Sequence, residues 1–305
     1  MWIPIVILSA VFLGFYDVCK KYSLKNNAVL AVMLLSSAAS MLVFLPFMLF
    51  PEKFEGTPFY VPSTSSNHQF YIFLKAVIVQ VSWLCNFFAM KHLPISIVGP
   101  VRSSAPAWTL LGAVVLLGER LNVWQWIGAA IIIACLFLYA RAGKGEGISF
   151  THNKFVFFLF LGTLVGAGSA LYDKFLLRSL ALNRMEMQSW FSFYQFIMAA
   201  VLAAVVWYPN REKTDKFVFK LTIPMIGILL AVADFLYFYG LSQDGAMISV
   251  VSLIRRSNVV ISFAAGAMLY IVSGELIPES NALSKGRAPS IGNILGFILG
   301  ILSML

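Results

Sequence analysis

Two arginines interrupt apolar, membrane-length runs at matching places in the two halves of the chain. Arg102 lies within ISIVGPVRSSAP, residues 95–106, and Arg255 lies within ISVVSLIRRSNV, residues 248–259, at a spacing of 153 residues. An uncompensated cation inside a bilayer is costly and therefore rare. Because two of them occupy equivalent positions in similar segments, we interpret them as sharing one task, namely binding an acidic group or closing a gate.

Aspartates at comparable depth could pair with these arginines. Asp17 lies about seven residues before the end of the first run and Arg102 about seven after the start of the fourth, roughly 10 Å below one membrane face. Asp173 and Arg255 are predicted at a similar depth below the opposite face. We expect each pair to form a charge bridge that closes one side of a cavity in turn. The alternative for Asp17 is a local pair with the lysines three and four residues further on.

Asp234 lies well inside the eighth apolar run, with Tyr237 on the same helical face, and has no counterpart in the first half. A carboxylate inside the membrane can bind and release protons, or it can hold a substrate amine. The alternative is a static bridge to Arg255 or Arg256. Arg256 points about 100° away from its neighbour, so it could bind phosphate or carboxylate, or reach the membrane interface.

A polar stripe on the ninth run includes Ser252, Arg255 and Asn258 at three-residue spacing, which predicts a face turned to a water cavity or to a close helix neighbour. Trp83 and Asn86 share a face of the third run and could stack on and hydrogen-bond a ligand, although a lone tryptophan is more often packing surface. The predicted substrate-binding residues are Arg102, Arg255, Arg256, Asn258, Asp234, Tyr237, Trp83 and Asn86; the predicted gating or coupling residues are Asp17, Asp173 and Asp234.

The composition shows which elements must position these side chains. The chain has 305 residues, of which 60% are hydrophobic and 11% charged, whereas soluble domains carry about 25% charged residues. A helix crosses the hydrocarbon core with roughly 20 apolar residues. Ten such runs occur, at 2–24, 28–50, 70–91, 95–117, 122–141, 154–178, 185–208, 218–242, 247–272 and 288–305.

An internal duplication organises these runs. Tyr16-Asp17 near the end of the first run matches Tyr172-Asp173 near the end of the sixth, at a spacing of 156 residues. Each half then holds five helices, and an odd number forces the second half to enter the membrane upside down. We therefore predict an all-α integral membrane protein of ten transmembrane helices, built as two inverted repeats over residues 1–145 and 150–305, with a polar site between them.

The segment PAWTLLGAVVLLGERLNVWQWIGAAIII, residues 106–133, together with the two five-helix halves, resembles the EamA-type, ten-helix branch of the drug/metabolite transporter superfamily. In that family a fourth helix ends in a Gly-Glu-Arg-Leu turn and a fifth opens with an aromatic-rich Gly-Ala stretch. The second half keeps Gly274-Glu275-Leu276 but follows it with a longer, polar insert. The resemblance implies export or exchange of small metabolites by alternating access, without ATP.

The charges within the membrane predict a small polar solute that is acidic or zwitterionic, such as an amino acid, an organic acid or a phosphorylated metabolite, with a proton as a possible coupling ion. The other expected partner is the lipid bilayer, and the protein is expected to be a monomer or homodimer. We expect no metal, cofactor or nucleic acid, because the three cysteines lack metal spacing and GKGEG at 143–147 is not a Walker loop. An intramembrane enzyme or a channel is the alternative function.

The sequence also gives predictions about the membrane in which the protein lies and about the side on which its termini lie. The first run has no basic start and no cleavage site, which predicts a retained helix in a multi-pass protein of the bacterial inner membrane. Loops after the odd-numbered helices hold thirteen Lys and Arg residues against six elsewhere, Lys75 being counted among the six. The positive-inside rule then places both termini outside. The resemblance implies cytoplasmic termini, and we follow it here.

Overall fold

The computed structural model describes residues 2–93, 98, 101–102, 104–123, 126–127, 130–131, 134 and 153–258, all within one compact unit. In these residues the chain forms eight α-helices and no strand, and six of the helices are long and apolar enough to cross a membrane. The predicted tenth run, most of the fifth and the ninth beyond residue 258 lie outside the described residues. The ten-helix count and the inverted repeat therefore remain predictions.

The helices follow the apolar runs closely. Their bounds are α1 Ile3–Leu24, α2 Val29–Leu49, α3 Ser66–His92, α4 Ala105–Leu116, α5 Lys154–Lys174, α6 Arg184–Leu202, α7 Thr222–Ser242 and α8 Ile248–Arg255. One π-helical turn extends α5 over Phe175–Ser179, and another extends α6 over Ala203–Trp207.

Side-chain caps explain where several helices begin. The side chains of Ser65, Asn153 and Asn183 accept hydrogen bonds from the first backbone N–H groups of α3, α5 and α6, which would otherwise lack partners. The Ser65 cap moves the start of α3 four residues ahead of the predicted position. The start of α7 comes four residues later than predicted, because the Asn27 side chain binds both the N–H and the carbonyl of Val218 and holds this residue outside the helix.

The fourth and ninth runs, predicted as continuous helices, are each broken just after the arginine. Arg102 is helical, Ser104 lies in a turn, and the chain becomes helical again in α4, with Pro106 in its first turn. In the same way Arg255 ends α8, the next two residues form a turn, and Asn258 is helical. Interrupted helices of this kind occur in transport proteins where they line a cavity at the membrane midplane.

Helices from the two predicted repeats interleave in a shared core. In the described part of the chain, α1 packs chiefly on α7, α2 on α6 and α7, α3 on α5 and α6, and α4 on α5 and α8. By contrast, α1 and α2 touch little although they are adjacent in sequence. A site enclosed by these helices therefore receives side chains from both predicted halves.

The polarity of the bundle suits a lipid surface. Large apolar side chains face outward, among them Leu111, Val115 and Phe157, which are 54%, 76% and 62% exposed. Polar and charged side chains are buried inside, including those of Asp17, Lys75, Gln80, Asp173, Gln188 and Gln195. In a bilayer this arrangement places apolar groups against hydrocarbon and polar groups against protein or enclosed water.

Close contact of α2 with α7 depends on Gly227. A Cβ atom at this position would lie 2.0 Å from the Ser36 carbonyl oxygen and 2.7 Å from the Ser40 backbone nitrogen. Since backbone atoms cannot move aside without shifting a helix, we expect Gly227→Ala to destabilise the protein by about 1–3 kcal/mol or more. Thermal unfolding in detergent measures this effect. Gly168→Ala on α5 is the matched control, because its Cβ would meet no atom within 4 Å; equal losses in both variants would contradict the prediction.

Candidate functional site

A cavity of about 190 Å³ lies inside the bundle. This volume is below the roughly 300–1,000 Å³ of pockets that hold drug-sized ligands, so it suits a small metabolite. Side chains of α1, α3, α5, α6, α7 and α8 line the cavity, as does the segment just before α4. Its charged lining residues, within the described part of the chain, are Lys20, Lys75, Arg102, Arg255, Arg256, Asp173 and Asp234.

Asp17 of α1 joins three segments beside the cavity, which its partner Arg102 lines. Its Oδ1 accepts a hydrogen bond from Arg102 Nη1 at 2.9 Å, and its Oδ2 accepts one from Asn258 Nδ2 at 2.7 Å. The predicted contact between Asp17 and Arg102 is therefore confirmed, although its role as a gate remains a prediction. The alternative pairing with a local lysine does not occur, because Lys20 contacts Tyr16 and Lys21 donates to backbone carbonyls of the α3 end.

The pairing predicted for Asp173 and Arg255 is wrong. Asp173 forms a buried ion pair with Lys75 of α3, and Arg255 forms one with Asp234 of α7. Lys75 was assigned to a connection between helices, but it lies well inside α3 and is only 2% exposed. Because α3 starts at Ser66, the ammonium of Lys75 reaches the depth of Asp173. The ring centroids of Phe191 and Phe238 lie within 5 Å of this ammonium.

Tyr237 links these two ion pairs into one cluster. Its hydroxyl donates to Asp173 Oδ2 at 3.2 Å, and its ring centroid lies 4.2 Å from the Arg255 guanidinium carbon. The bridge from Asp234 to Arg255, given above as an alternative, is present. The cluster therefore ties α3, α5, α7 and α8 together at the cavity.

Two further cations line the cavity without a carboxylate partner among the described residues. Lys20 is 2% exposed, and its Nζ lies 3.2 Å from the Tyr16 hydroxyl and 3.6 Å from the ring centroid of Phe87. Arg256 is half-buried, and no side-chain hydrogen bond or ion pair joins it to another described residue. The sequence pattern predicted Arg256 as a substrate-binding residue, whereas Lys20 was considered only as a local partner of Asp17.

Trp83 and Asn86 of α3 line the same cavity, as predicted for a ligand-binding face. Asn86 Nδ2 donates to the Ser82 carbonyl oxygen at 2.8 Å, while its buried Oδ1 has no hydrogen-bond partner in the described part of the chain. Of the other predicted binding residues, only Asn258 is not part of the lining, and it acts through its bond to Asp17.

Glu119, missed as a functional residue, holds the start of α8 in place. The positive φ of +63° at Gly118 ends α4 and directs the next side chain inward. Glu119 then accepts hydrogen bonds from the backbone N–H groups of Ile248 at 2.8 Å and Ser249 at 3.3 Å, and it pairs with Lys174 at the end of α5. A carboxylate suits a helix N-terminus because the free N–H groups there carry partial positive charge. Glu119 thus positions the helix that carries Arg255.

The ionised form of Glu119 is required for these contacts. Burial alone would raise the pKa of Glu119, but the hydrogen bonds from Lys174, Ser249 and the Ile248 N–H outweigh burial and lower it below the ordinary value of 4.5. Because the folded-state pKa is depressed, the stability it contributes is present above about pH 4.5 and is lost as pH falls through the lower folded value.

We therefore expect the unfolding temperature of the wild type to fall more steeply than that of Glu119→Gln between about pH 5 and about pH 3. At neutral pH the variant should be less stable by about 0.5–2 kcal/mol, the usual effect of losing a helix cap. Thermal unfolding across this pH range measures both effects. The other carboxylates titrate in both proteins, so parallel curves would contradict the assigned role.

Residues 1–141 match the model of the EamA-like transporter family. A solved crystal structure of another protein superposes with a TM-score of 0.66 at 17% identity, over 97% of this chain and 95% of that one. At this identity the likeness shows the fold alone. No curated protein sequence matches the chain.

The family match covers the segment that contains α1 to α4, including Asp17, Arg102 and the Gly-Glu turn. Six helices long enough to span a membrane accompany it within the described residues. Together these findings describe a multi-pass integral membrane protein. Over residues 1–141, a little under half of its length, the chain is similar to the EamA-like transporter family.

Proposed function

We propose that this protein is a secondary-active transporter that exports or exchanges a small acidic or zwitterionic metabolite by alternating access. The observation that carries the proposal is a charged cavity inside an apolar bundle, lined by helices from both predicted halves. The proposal includes ten helices in two inverted repeats, residues 1–145 and 150–305. Equivalent breaks after Arg102 and Arg255 support this architecture.

The two ends of the cavity suggest how access alternates. At one end the gate is the contact of Asp17 with Arg102; at the other it is the cluster formed by Lys75, Asp173 and Tyr237 together with the Asp234–Arg255 pair. Separating the charges at one end exposes the cavity to that side of the membrane. A solute that binds the freed charges offsets the cost of separating them, which couples its binding to the conformational change.

Transport in proteoliposomes tests the proposal. Purified protein is reconstituted, the vesicles are loaded with unlabelled metabolites, and the uptake of labelled solute from outside is followed. A carrier gives saturable counterflow, with transient accumulation of the label. A channel gives flux without counterflow, and an intramembrane enzyme gives a chemically altered product; either result would replace the transporter interpretation.

A coupled proton is proposed to bind at Asp234, whose carboxylate lines the cavity and pairs with Arg255. Asparagine at this position keeps the size and some hydrogen bonding but cannot bind a proton. We expect Asp234→Asn to abolish uptake driven by an imposed pH gradient, while counterflow without a gradient is reduced less. Uptake that responds to the gradient as in the wild type would end the coupling proposal.

The proposed location is the bacterial inner membrane, with both termini in the cytoplasm, as the family resemblance implies. The distribution of lysine and arginine favours the opposite orientation. Lys75 belongs inside α3 and not in a loop, so removing it makes that bias stronger. Reporter fusions at each terminus distinguish the two orientations.

A further inference from the structure

Among the described residues, basic side chains outnumber acidic ones in and beside the cavity. The three carboxylates Asp17, Asp173 and Asp234 are each already in an ion pair with a single cation. Two more cations, Lys20 and Arg256, line the cavity and have no carboxylate within 4 Å in the described part of the chain. Together, the cavity and these ion pairs contain two more cations than carboxylates among these residues.

Among the described residues, Lys20 has no carboxylate within ion-pair distance; the nearby Asp17 is already paired with Arg102. The side chain is 2% exposed, and its Nζ contacts a phenol hydroxyl and the face of an aromatic ring. A hydroxyl and a ring quadrupole stabilise an ammonium only in part. A buried ammonium is costly without a paired anion. The position of Lys20 against the cavity makes a bound solute the available source of that anion.

Arg256 is in a comparable situation at the turn that follows α8. It lies close enough to Arg102 and Arg255 for their charges to repel its own, and the already paired Asp17 and the Tyr237 side chain act in the opposite direction. Its planar guanidinium presents several N–H donors suited to carboxylate or phosphate oxygens. These donors make no hydrogen bond to other described residues, so they are available to a solute in the cavity.

The charges of Lys20 and Arg256 favour an acidic solute over a zwitterionic one. The ammonium of a zwitterion would find every described cavity carboxylate already paired, whereas two anionic charges would balance the two remaining cations. We infer that the solute is a dianion, either a dicarboxylate or a phosphomonoester, whose anionic groups bind Lys20 and Arg256. This inference rests on the transport function proposed above.

The rest of the cavity fits a solute whose carbon skeleton, between or beside its anionic groups, is small. Its volume of about 190 Å³ restricts the solute to a few carbon atoms. Trp83 supplies an apolar face and Asn86 a polar side chain to the lining of the cavity.

The test compares counterflow of succinate, glycerol 3-phosphate and alanine in proteoliposomes, with thermal stabilisation of the detergent-purified protein by each probe as a second readout. The variants are Lys20→Met and Arg256→Met, with Lys20→Arg and Arg256→Lys to keep the charge. Lys21→Met is the matched control, since its Nζ binds the carbonyls of Met90 and Leu93 and not a cavity group. Succinate and glycerol 3-phosphate distinguish the two kinds of dianion.

We expect at least one dianion to be preferred over alanine. Each methionine variant should raise the apparent KM for that dianion by about tenfold or more, as for loss of a charge-assisted hydrogen bond, and should reduce the thermal stabilisation that it causes. The charge-keeping variants and Lys21→Met should retain the preference.

Preference for alanine, or dianion uptake that neither methionine variant changes, would overturn the inference and leave the transport function standing. Absence of counterflow for all three probes would count against the transport function for these solutes. Thermal stabilisation then tests the inference separately. Stabilisation of the wild type by a dianion that is lost in both methionine variants supports the inference. Any other pattern of stabilisation overturns the inference.

Discussion

Lys75→Met is expected to destabilise the protein by about 3–5 kcal/mol and to abolish transport. The substitution leaves the buried carboxylate of Asp173 without its ion-pair partner, and breaking a buried pair from one side has an effect of this size. Only the Tyr237 hydroxyl would remain to donate to that carboxylate among the described contacts. Thermal or denaturant unfolding in detergent and counterflow in proteoliposomes measure the two effects.

Two variants separate the ion pair from general damage. Lys75→Met combined with Asp173→Asn removes both charges, so we expect most of the lost stability to return while transport stays absent. Lys91→Met is the matched control, because its pair with Asp215 is partly exposed and such pairs contribute about 0–1 kcal/mol. Equal destabilisation by Lys75→Met and Lys91→Met would show that the buried pair has no special role.

Asp17→Asn and Asp173→Asn are expected to open the cavity toward opposite sides of the membrane. The first weakens the contact to Arg102 at one end, and the second weakens the contact to Lys75 at the other. If each gate contributes about 1.4 kcal/mol to its closed state, accessibility on that side rises about tenfold.

Cysteine labelling with membrane-impermeant reagents measures this change. In a background without the native cysteines, Ser104→Cys reports the end near Arg102 and Ser252→Cys reports the end near Arg255. The labelling rate of each reporter should rise in only one of the two aspartate variants. An increase on the same side in both variants would rule out two alternating gates.

Most of the described helices were predictable from the sequence because a bilayer demands long apolar runs. The bounds of α1 and α2 agree with the predicted runs to within one or two residues. The pairing of Asp17 with Arg102 also followed from sequence, since depth below the membrane face is set by residue count along each helix. The depth of a residue below the membrane face can be predicted from sequence alone wherever the ends of its helix are predicted correctly.

The other end of the cavity was not predictable in the same way. Asp173, Asp234, Lys75 and Arg255 lie at similar depth, so the choice of partner depends on how α3, α5, α7 and α8 are arranged around the cavity. Residue counting gives no information on that arrangement. Lys75 was counted with the loop residues although it fell inside the predicted third run, and the earlier start of α3 at Ser66 places it deeper in the helix.

The role of Glu119 required contacts between segments distant in sequence. Its partners Ile248 and Ser249 are 129 and 130 residues away. A Gly-Glu turn matched a family pattern, but nothing in the sequence indicated which helix N-terminus the carboxylate would bind. The single cue was the positive-φ preference of the preceding glycine, which indicates a sharp helix end without identifying the partner.

Because α1 packs against α7 and α8, its native contacts with these helices can form only after the second half of the chain has been synthesised. Asp17 and Asn258 are separated by 241 residues, and ribosomes add about 5–20 residues per second, so the amide is synthesised roughly 10–50 s after the carboxylate. During that interval α1 can already be in the bilayer without its native neighbours from the second half. Arg102 is made much earlier, and its bond to Asp17 gives the nascent chain a way to keep this carboxylate from facing lipid until synthesis is complete.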